Sequence, residues 1–326
     1  MSPAVVGGRY DRNDMRVPHL SPTAYRRITI VAAVLLAVII VTGGAVRLSD
    51  SGLGCPSWPN CAAGQLTAHA QSDSHQWIES LNRMFTGLVS IAVIVAVLGS
   101  LVRVPKRTDL AWLSVGLVVG VFAQAVLGGL TVLFDLKPGF VMAHFLLSIV
   151  LLTNALVLVR RAGQPVGPAR AVVTRRTVLL GRALLGLAGA VLVTGTVVTG
   201  AGPHSGGGRR DDVSRFDFRI PDVARVHGTT VMIFLGAVLA MVWLVRRDRA
   251  PHNVQQRVSL LLIVLVAQAA VGYVQYFNDI PAVLVGVHIA GATAVWSATV
   301  ALYLGCFERR ASVVASANAE ALLASA

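Results

Sequence analysis

Charged side chains are scarce in this chain, since Lys, Arg, Asp and Glu together make up 13% of its 326 residues. With 55% apolar residues, the chain is either one large soluble domain or a bundle of membrane spans. The distribution of the charges decides between them, because eight windows of about 20 residues or more contain no run of charges. The sequence therefore predicts an all-α membrane protein with eight transmembrane helices. The windows are 25–46, 77–102, 110–134, 139–159, 177–201, 223–245, 257–277 and 281–306.

Acidic residues are fewer than basic ones, and 15 Asp and Glu against 28 Lys and Arg give a formal net charge of +13. In a soluble protein this excess of positive charge would suggest binding to nucleic acid. Here, however, the basic residues fall mainly in alternate connections between the windows. The positive-inside rule then predicts that both termini are cytoplasmic, and we expect no nucleic-acid partner. The third outer loop is mixed in charge and contains Arg209, Arg210, Asp211, Asp212, Arg215, Asp217 and Arg219.

Cysteine is also rare, with three residues in the whole chain. Cys55 and Cys61 lie in the first outer loop, which faces an oxidising compartment, and we expect a disulfide between them. Two free thiols are the alternative, and a metal site on this pair would lack partners. Cys306, at the inner end of the last span, is expected to be a packing residue. No small-residue cleavage site follows the first apolar window, so we expect this span to be retained.

An internal repeat relates the two halves of the chain. The segment AQAVLGGLTVLFDLKPGFVMAH, which ends at His144, returns 144 residues later as AQAAVGYVQYFNDIPAVLVGVH, which ends at His288. We infer a duplication of four spans, and because four is even, the halves are parallel and equivalent residues lie at equal depth. The polar positions align without a gap: Gln124 with Gln268, Gly128 with Gly272, Asp135 with Asp279 and His144 with His288. Val41-Thr42-Gly43 matches Val193-Thr194-Gly195 more loosely.

The repeated aspartates precede the fourth and eighth spans. Asp135 and Asp279 are expected near the N-cap positions of these helices. Pro138 and Pro281 suit the first helical turn, and the sixth helix starts in a similar way at Pro221.

Three spans each carry one histidine near the outer face. His144, His227 and His288 follow the prolines of their spans by six, six and seven residues. A rise of about 1.5 Å per residue puts each imidazole about 9–10 Å below the helix start. A single histidine in an apolar helix is commonly a hydrogen-bonded core residue. Three at one depth favour haem ligation, because ionisable residues within spans are costly and usually functional.

The two halves differ in their ligands. His227 and His288 make a bis-histidine haem site in the second half, whereas the equivalent first-half positions are Asn82 and His144. Because asparagine is a poor iron ligand, the first half should hold a similar pocket with one strong ligand. Such an open site suits a bound substrate better than a saturated electron carrier.

Two charged residues flank Asn82 on the second span. Glu79 and Arg83 can form a local i, i+4 ion pair that hides both charges from lipid. Alternatively, Glu79 faces the first-half pocket as a proton acceptor or as a stabiliser of positive charge, and Arg83 meets an anionic group such as a haem propionate. The two interpretations are compatible. His75 and His204, in outer loops, are expected to have no ligand role.

Residues 25 to about 306 resemble the haem A synthase family, membrane enzymes that convert haem O into haem A for cytochrome oxidase. The motifs that carry the resemblance are VRLSDSGLGCPSWPNC, WIESLNR, QAVLGGLTVLFDLKPGFVMAH, VVTGAGPHSGG, RVHG and VGVH. Much of the family has histidine at the position of Asn82, within E-x-x-H-R, so the chain looks like an actinobacterial-like variant.

The resemblance implies two pseudo-symmetric parallel four-helix bundles, with substrate haem O in the first and haem b in the second. The implied reaction oxidises the C8 methyl of haem O to a formyl group by successive hydroxylation. The implied site residues are the haem b ligands His227 and His288, the substrate-site residues His144 and Asn82, the catalytic residues Glu79 and Arg83, and the cysteine pair Cys55 and Cys61.

The chain then divides into a cytoplasmic tail (1–24), an N-terminal bundle (25–160), a cytoplasmic linker (161–176), a C-terminal bundle (177–308) and a second tail (309–326). The haem sites are expected near the outer face of the cell membrane. Expected partners are membrane lipid, the haem O synthase that farnesylates protohaem, and cytochrome oxidase assembly, and homo-oligomerisation stays open.

Two alternative functions predict different patterns of polar residues. A b-type haem electron carrier that reacts with quinol predicts strong ligand pairs in both halves, and Asn82 counts against it. A transporter predicts polar groups near the bilayer centre, whereas the polar set here lies towards the outer face.

Overall fold

The computed structural model describes residues 19–55, 57–61, 64–68, 72–207 and 213–310. Within these residues, eight α-helices are long and apolar enough to cross a membrane, so the predicted fold class is confirmed. The helices are α1 (Pro22–Leu48), α2 (Ser74–Val102), α3 (Thr108–Leu133), α4 (Pro138–Ala162), α5 (Arg175–Ala201), α6 (Ile220–Arg247), α7 (His252–Phe277) and α8 (Ala282–Gly305). Most of the predicted tails lies outside the described residues, as does the part of the third outer loop that contains Arg209, Arg210, Asp211 and Asp212.

Polar side chains cap the N-termini of three helices, α1, α2 and α5. Ser21, Asp73 and Thr174 accept hydrogen bonds from the backbone N–H groups of the first turns of α1, α2 and α5. Such caps satisfy donors that have no partner within the helix. The windows mark the apolar part of each span, and in α1, α2 and α5 the caps mark where the helix starts.

The repeated aspartates lie two residues before the N-cap residues of α4 and α8, near the cap positions as expected but not at them. The N-cap residues are Lys137 and Pro281, and neither forms a side-chain cap hydrogen bond. Instead, Asp135 and Asp279 have φ angles of 50° and 57°, and the residue after each also has a positive φ. Asp tolerates the left-handed region better than most residues. The repeated aspartate therefore marks a left-handed turn that leads into the helix carrying a histidine.

The helices pack as two groups of four. In the first group α1 contacts α2 and α4, and α3 contacts the same two helices, and the second group repeats this pattern in α5–α8. The groups meet through α1, α4, α5 and α8. At this junction the indole N–H of Trp296 donates to the Thr153 hydroxyl at 2.8 Å. We call α1–α4 the first half and α5–α8 the second half.

Large apolar side chains cover the outside of both groups. Trp112, Phe122 and Ile263 are 72%, 71% and 66% exposed, as expected for side chains that face lipid.

A small antiparallel sheet lies at the end of the molecule that we predict to be cytoplasmic. Strand β1 (Ala169–Ala171), which follows α4, pairs with β2 (Phe307–Arg309), which follows α8. Between α8 and β2, the buried Cys306 Sγ donates to the carbonyl of Leu302 at 3.5 Å, and burial raises the pKa of this thiol to about 11. These contacts fit the packing role expected for Cys306.

Candidate functional site

Each of the three span histidines lies against a glycine on the preceding helix. A Cβ atom on any of these glycines would be 3.0 or 3.1 Å from the Cε1 atom of the ring, tighter than an ordinary contact. Glycine therefore lets the imidazole lie directly on the neighbouring backbone. The pairs are Gly128 with His144, Gly195 with His227, and Gly272 with His288.

In the second half, the imidazoles of His227 and His288 face each other. Their ring centroids are 6.4 Å apart and their planes are inclined by 65°. Two imidazoles that ligate one metal from opposite sides, each with a metal–nitrogen distance of about 2 Å, would have ring centres about 6 Å apart. The pair therefore has the spacing that bis-histidine ligation of one haem iron requires.

A threonine on α5 determines which nitrogen of His227 is available as a ligand. Thr194 Oγ1 lies 3.1 Å from His227 Nδ1 and donates its own proton to the Ala190 carbonyl at 2.9 Å. Because that proton is used, Thr194 accepts from Nδ1–H, which leaves Nε2 unprotonated and able to bind a metal. In the sequence, Val193-Thr194-Gly195 is recognisable as part of the repeat, but nothing in it indicates a contact with His227.

The repeated glutamines hold each histidine-bearing helix in place. Gln124 Nε2 donates to the backbone carbonyl of His144 at 3.0 Å, and Gln268 Nε2 donates to that of His288 at 2.8 Å. Each bond joins a helix to the next helix at the level of the histidine. This contact accounts for a polar residue that recurs in two apolar windows.

In the first half, the predicted site residues bury polar atoms without partners. Asn82 Oδ1 and His144 Nδ1 are buried, and neither has a hydrogen-bond partner among the described residues. Most buried polar atoms in proteins are hydrogen-bonded, so Asn82 Oδ1 indicates a place where a ligand could supply the bond. The unpartnered Nδ1 of His144 is shared with its equivalent His288 and does not distinguish the two halves. The donor set, one imidazole and one amide, fits a haem held through a single histidine.

Glu79 and Arg83 form the local ion pair that was one of the two interpretations. Arg83 Nη2 lies 2.5 Å from Glu79 Oε1, and the carboxyl group is 7% exposed. The other carboxylate oxygen, Oε2, accepts from the backbone N–H of Cys55 at 2.8 Å. The remaining Arg83 donors bind loop carbonyls, those of Ser57, Pro59 and Asn60. The pair therefore holds the loop segment from Cys55 to Asn60 against α2 through hydrogen bonds.

The predicted disulfide between Cys55 and Cys61 is confirmed, and we call residues 55–61 the disulfide loop. Trp58 in this loop lies on α3, since a Cβ on Gly129 would be 2.7 Å from Trp58 Cδ2. The preceding residue, Gly128, is the glycine against which the His144 ring lies. The loop therefore covers the end of the first half at which His144 lies.

The outer loops of the two halves are joined by hydrogen bonds. Arg47 at the end of α1 donates through Nε to the His204 carbonyl at 2.8 Å. The His204 ring donates through Nε2 to the Ile280 carbonyl at 2.7 Å, and the Gly52 N–H donates to the Gly206 carbonyl at 2.9 Å. His204 thus has a structural role that the sequence did not indicate.

Together these features define a multi-pass membrane protein with two four-helix groups, one with a facing pair of imidazoles and the other with a single imidazole on α4 and an amide on α2. Residues 26–203 match the family described as cytochrome oxidase assembly protein. The chain therefore belongs to this family. The matched segment includes Glu79, Asn82 and His144, and it ends before α6.

Similar curated proteins are haem A synthases, which confirms the predicted family resemblance. The haem A synthase of Shewanella oneidensis is 32% identical over 152 residues, which cover 41% of this chain and 44% of the relative. That of Listeria welshimeri is 30% identical over 128 residues, which cover 39% and 42%. That of Exiguobacterium sibiricum is 25% identical over 147 residues, which cover 43% and 49%. The chain thus matches less than half of the length of these relatives.

Proposed function

We propose that this protein is a haem A synthase, which oxidises the C8 methyl of haem O to a formyl group by successive hydroxylation in the membrane. The observation that carries the proposal is the difference between the halves. The second half has two imidazoles with centroids 6.4 Å apart, whereas the first half offers His144 and the amide of Asn82. One saturated site and one open site suit an enzyme with a resident cofactor and a haem substrate.

The second half would hold haem b through His227 and His288. When bound, this haem supplies one-electron transfer. The chain orients its ligands: Thr194 fixes the His227 tautomer, and Gln268 ties α7 to α8 at His288. These contacts keep Nε2 of His227 unprotonated and both rings facing the same space.

The first half would hold haem O, the substrate, with His144 as the ligand of its iron. Glu79 lies one helical turn before Asn82 on α2, so its charge is close to the pocket. Both Glu79 oxygens already accept hydrogen bonds from Arg83 and from the Cys55 N–H, which favours an electrostatic role over that of a proton acceptor. A fixed negative charge stabilises positive charge that develops on a substrate. Arg83 would act by holding Glu79 and the disulfide loop in position.

The membrane orientation follows from the basic residues. Arg160 and Arg161 lie in the last turn of α4, and Arg246 and Arg247 lie in that of α6. We propose that these ends and both termini are cytoplasmic and that the haem sites lie towards the outer face. A haem O synthase would supply the substrate, and cytochrome oxidase assembly would receive the product.

The proposal is tested by isolating the protein after expression together with a haem O synthase. Its pigments are extracted and identified by chromatography and mass spectrometry. We expect haem b, haem O and haem A, with haem A formed at the expense of haem O. Two molecules of haem b per chain, with no haem O or haem A, would instead support the b-type electron carrier.

A further inference from the structure

The first half retains most of the structure that seats His227 in the second half. On α5, Thr194 binds the His227 ring and Gly195 lets it approach the backbone. The equivalent residues on α1 are Thr42 and Gly43, which we call the first-half cradle. The equivalent of His227 itself is Asn82, whose side chain is shorter than that of histidine.

The first-half cradle faces open space. A Cβ atom on Gly43 would meet nothing within 4 Å, whereas one on Gly195 would lie 3.1 Å from His227 Cε1. Thr42 Oγ1 donates to the Ile39 carbonyl at 3.3 Å, and within the described part of the chain no group donates to it. The cradle therefore has both room and a free acceptor where the second half has an imidazole.

Asn82, the residue equivalent to His227 in the repeat, carries a second polar group without a partner among the described residues. This group is its buried Oδ1 atom, whereas its backbone carbonyl accepts from Thr86. A carboxamide offers both an acceptor and two donors. Thr42 and Asn82 together could therefore hydrogen-bond one small molecule, and Gly43 would leave space for it.

We propose that Thr42, Gly43 and Asn82 form a pocket for a small neutral ligand of the substrate haem iron, in the position that corresponds to His227. This inference rests on the proposed function, because it requires haem O in the first half. The ligand class is a molecule with one donor atom for iron and a group that can hydrogen-bond to the chain, such as imidazole or water. A haem held by both His227 and His288 in the second half would be closed to such ligands.

The test uses the full-length holoprotein, isolated after expression together with a haem O synthase, and two probes. Imidazole is titrated into the oxidised protein and carbon monoxide into the reduced protein, and the absorption spectrum is recorded. We expect both probes to change the spectrum of the haem O or haem A component and to leave that of haem b unchanged. Asn82→His should abolish both responses, because the new imidazole occupies the pocket.

Further variants separate the pocket from general damage to the fold. Asn82→Leu keeps the approximate size but removes the amide, so imidazole should bind about fivefold to tenfold more weakly while carbon monoxide still binds. Gly43→Leu should block both probes by filling the cradle. Gly87→Leu is the matched control, because Gly87 on α2 also faces open space, and it should leave both responses unchanged.

The haem content distinguishes failure of this inference from failure of the proposed function. Two haems per chain, one of them haem O or haem A, with no response to either probe would overturn the pocket and leave the function standing. A single haem per chain under the same conditions would overturn both, since the first half would then hold no substrate. Unchanged responses in Asn82→His and Gly43→Leu would place the ligand elsewhere and also overturn the pocket.

Discussion

The carboxylate of Glu79 accepts a hydrogen bond from the backbone N–H of Cys55 at 2.8 Å, which joins α2 to the disulfide loop. A buried carboxylate is costly unless it is paired and hydrogen-bonded. Arg83 supplies the opposite charge, and its other donors bind the loop carbonyls. The Glu79–Arg83 ion pair and the disulfide loop are therefore one structural unit.

Replacing Glu79 should abolish product formation while the resident haem remains. Glu79→Gln retains an oxygen for the Cys55 N–H but removes the charge, so haem A yield should fall by about 100-fold or more. Glu79→Ala should have at least the same effect. The measurement is haem A per chain together with the haem b spectrum. Asp109→Asn, which breaks the Arg107–Asp109 pair at the other end of the bundle, is the control and should retain activity. An unchanged haem A yield in Glu79→Gln would remove the charge from the mechanism.

Removing either facing imidazole should affect the resident haem. We expect His227→Ala and His288→Ala to lose haem b or to convert its low-spin spectrum, because the proposed bis-histidine site would lose one ligand. His144→Ala is the matched control in the other half and should keep the haem b spectrum while losing bound haem O. A normal low-spin spectrum in both His227→Ala and His288→Ala would contradict the ligand assignment.

The hydroxyl of Thr194 should affect the midpoint potential of the haem bound by His227 without itself being a ligand. Thr194→Val removes the acceptor for His227 Nδ1–H, so haem b should remain bound with a shifted midpoint potential and an altered electron paramagnetic resonance spectrum. Thr196→Val is the control, since its hydroxyl donates only to the Val193 carbonyl at 2.7 Å. Equal potentials in the two variants would show that the Thr194 contact does not affect the iron.

The sequence predicted the spans well because their signal is local and strong. Long apolar windows and alternating basic connections specify eight helices without any knowledge of contacts. The depth of His144, His227 and His288 also follows from helix geometry alone. Helix geometry alone does not predict that the rings of His227 and His288 face each other, because this depends on how α6 and α8 pack. The repeat suggested their proximity, and the 6.4 Å separation supports it.

The features that the sequence did not reveal all involve backbone angles or contacts between residues that are distant in sequence. Asp135 resembles a cap in sequence, but its φ of 50° places it in a turn that only the folded chain displays. His204 was interpreted as an ordinary loop residue, yet it reaches Ile280, 76 residues away. Thr194 lay in a recognised match, but its role depends on the ring of His227. Such contacts have no periodic signature in a sequence.

The disulfide should matter for the loop above the first half and not for the resident haem. A crosslink that closes a loop this short stabilises it by about 2 kcal/mol, so replacing both Cys55 and Cys61 with serine should raise the open fraction of the loop about 30-fold. We expect faster proteolysis of the first outer loop and a lower haem A yield, with an unchanged haem b spectrum. Cys306→Ser is the control. Proteolysis at the same rate in the double variant and the parent would contradict the stabilising role.

The buried thiol of Cys306 should resist modification and should make stability depend on alkaline pH. Burial raises its pKa from 9.0 to about 11, so the folded state holds the proton more tightly than the unfolded state does. Its contribution to stability is therefore complete below about pH 9 and is lost as the pH rises towards 11. Alkylation by iodoacetamide should be slow at pH 8 in the folded protein and rapid after unfolding in detergent, as measured by mass spectrometry. The loss of thermal stability between pH 8 and pH 10.5 should also be smaller in Cys306→Ala than in the parent. Alkylation at pH 8 as fast as that of a cysteine in a short peptide would show that the thiol is accessible and would contradict both expectations.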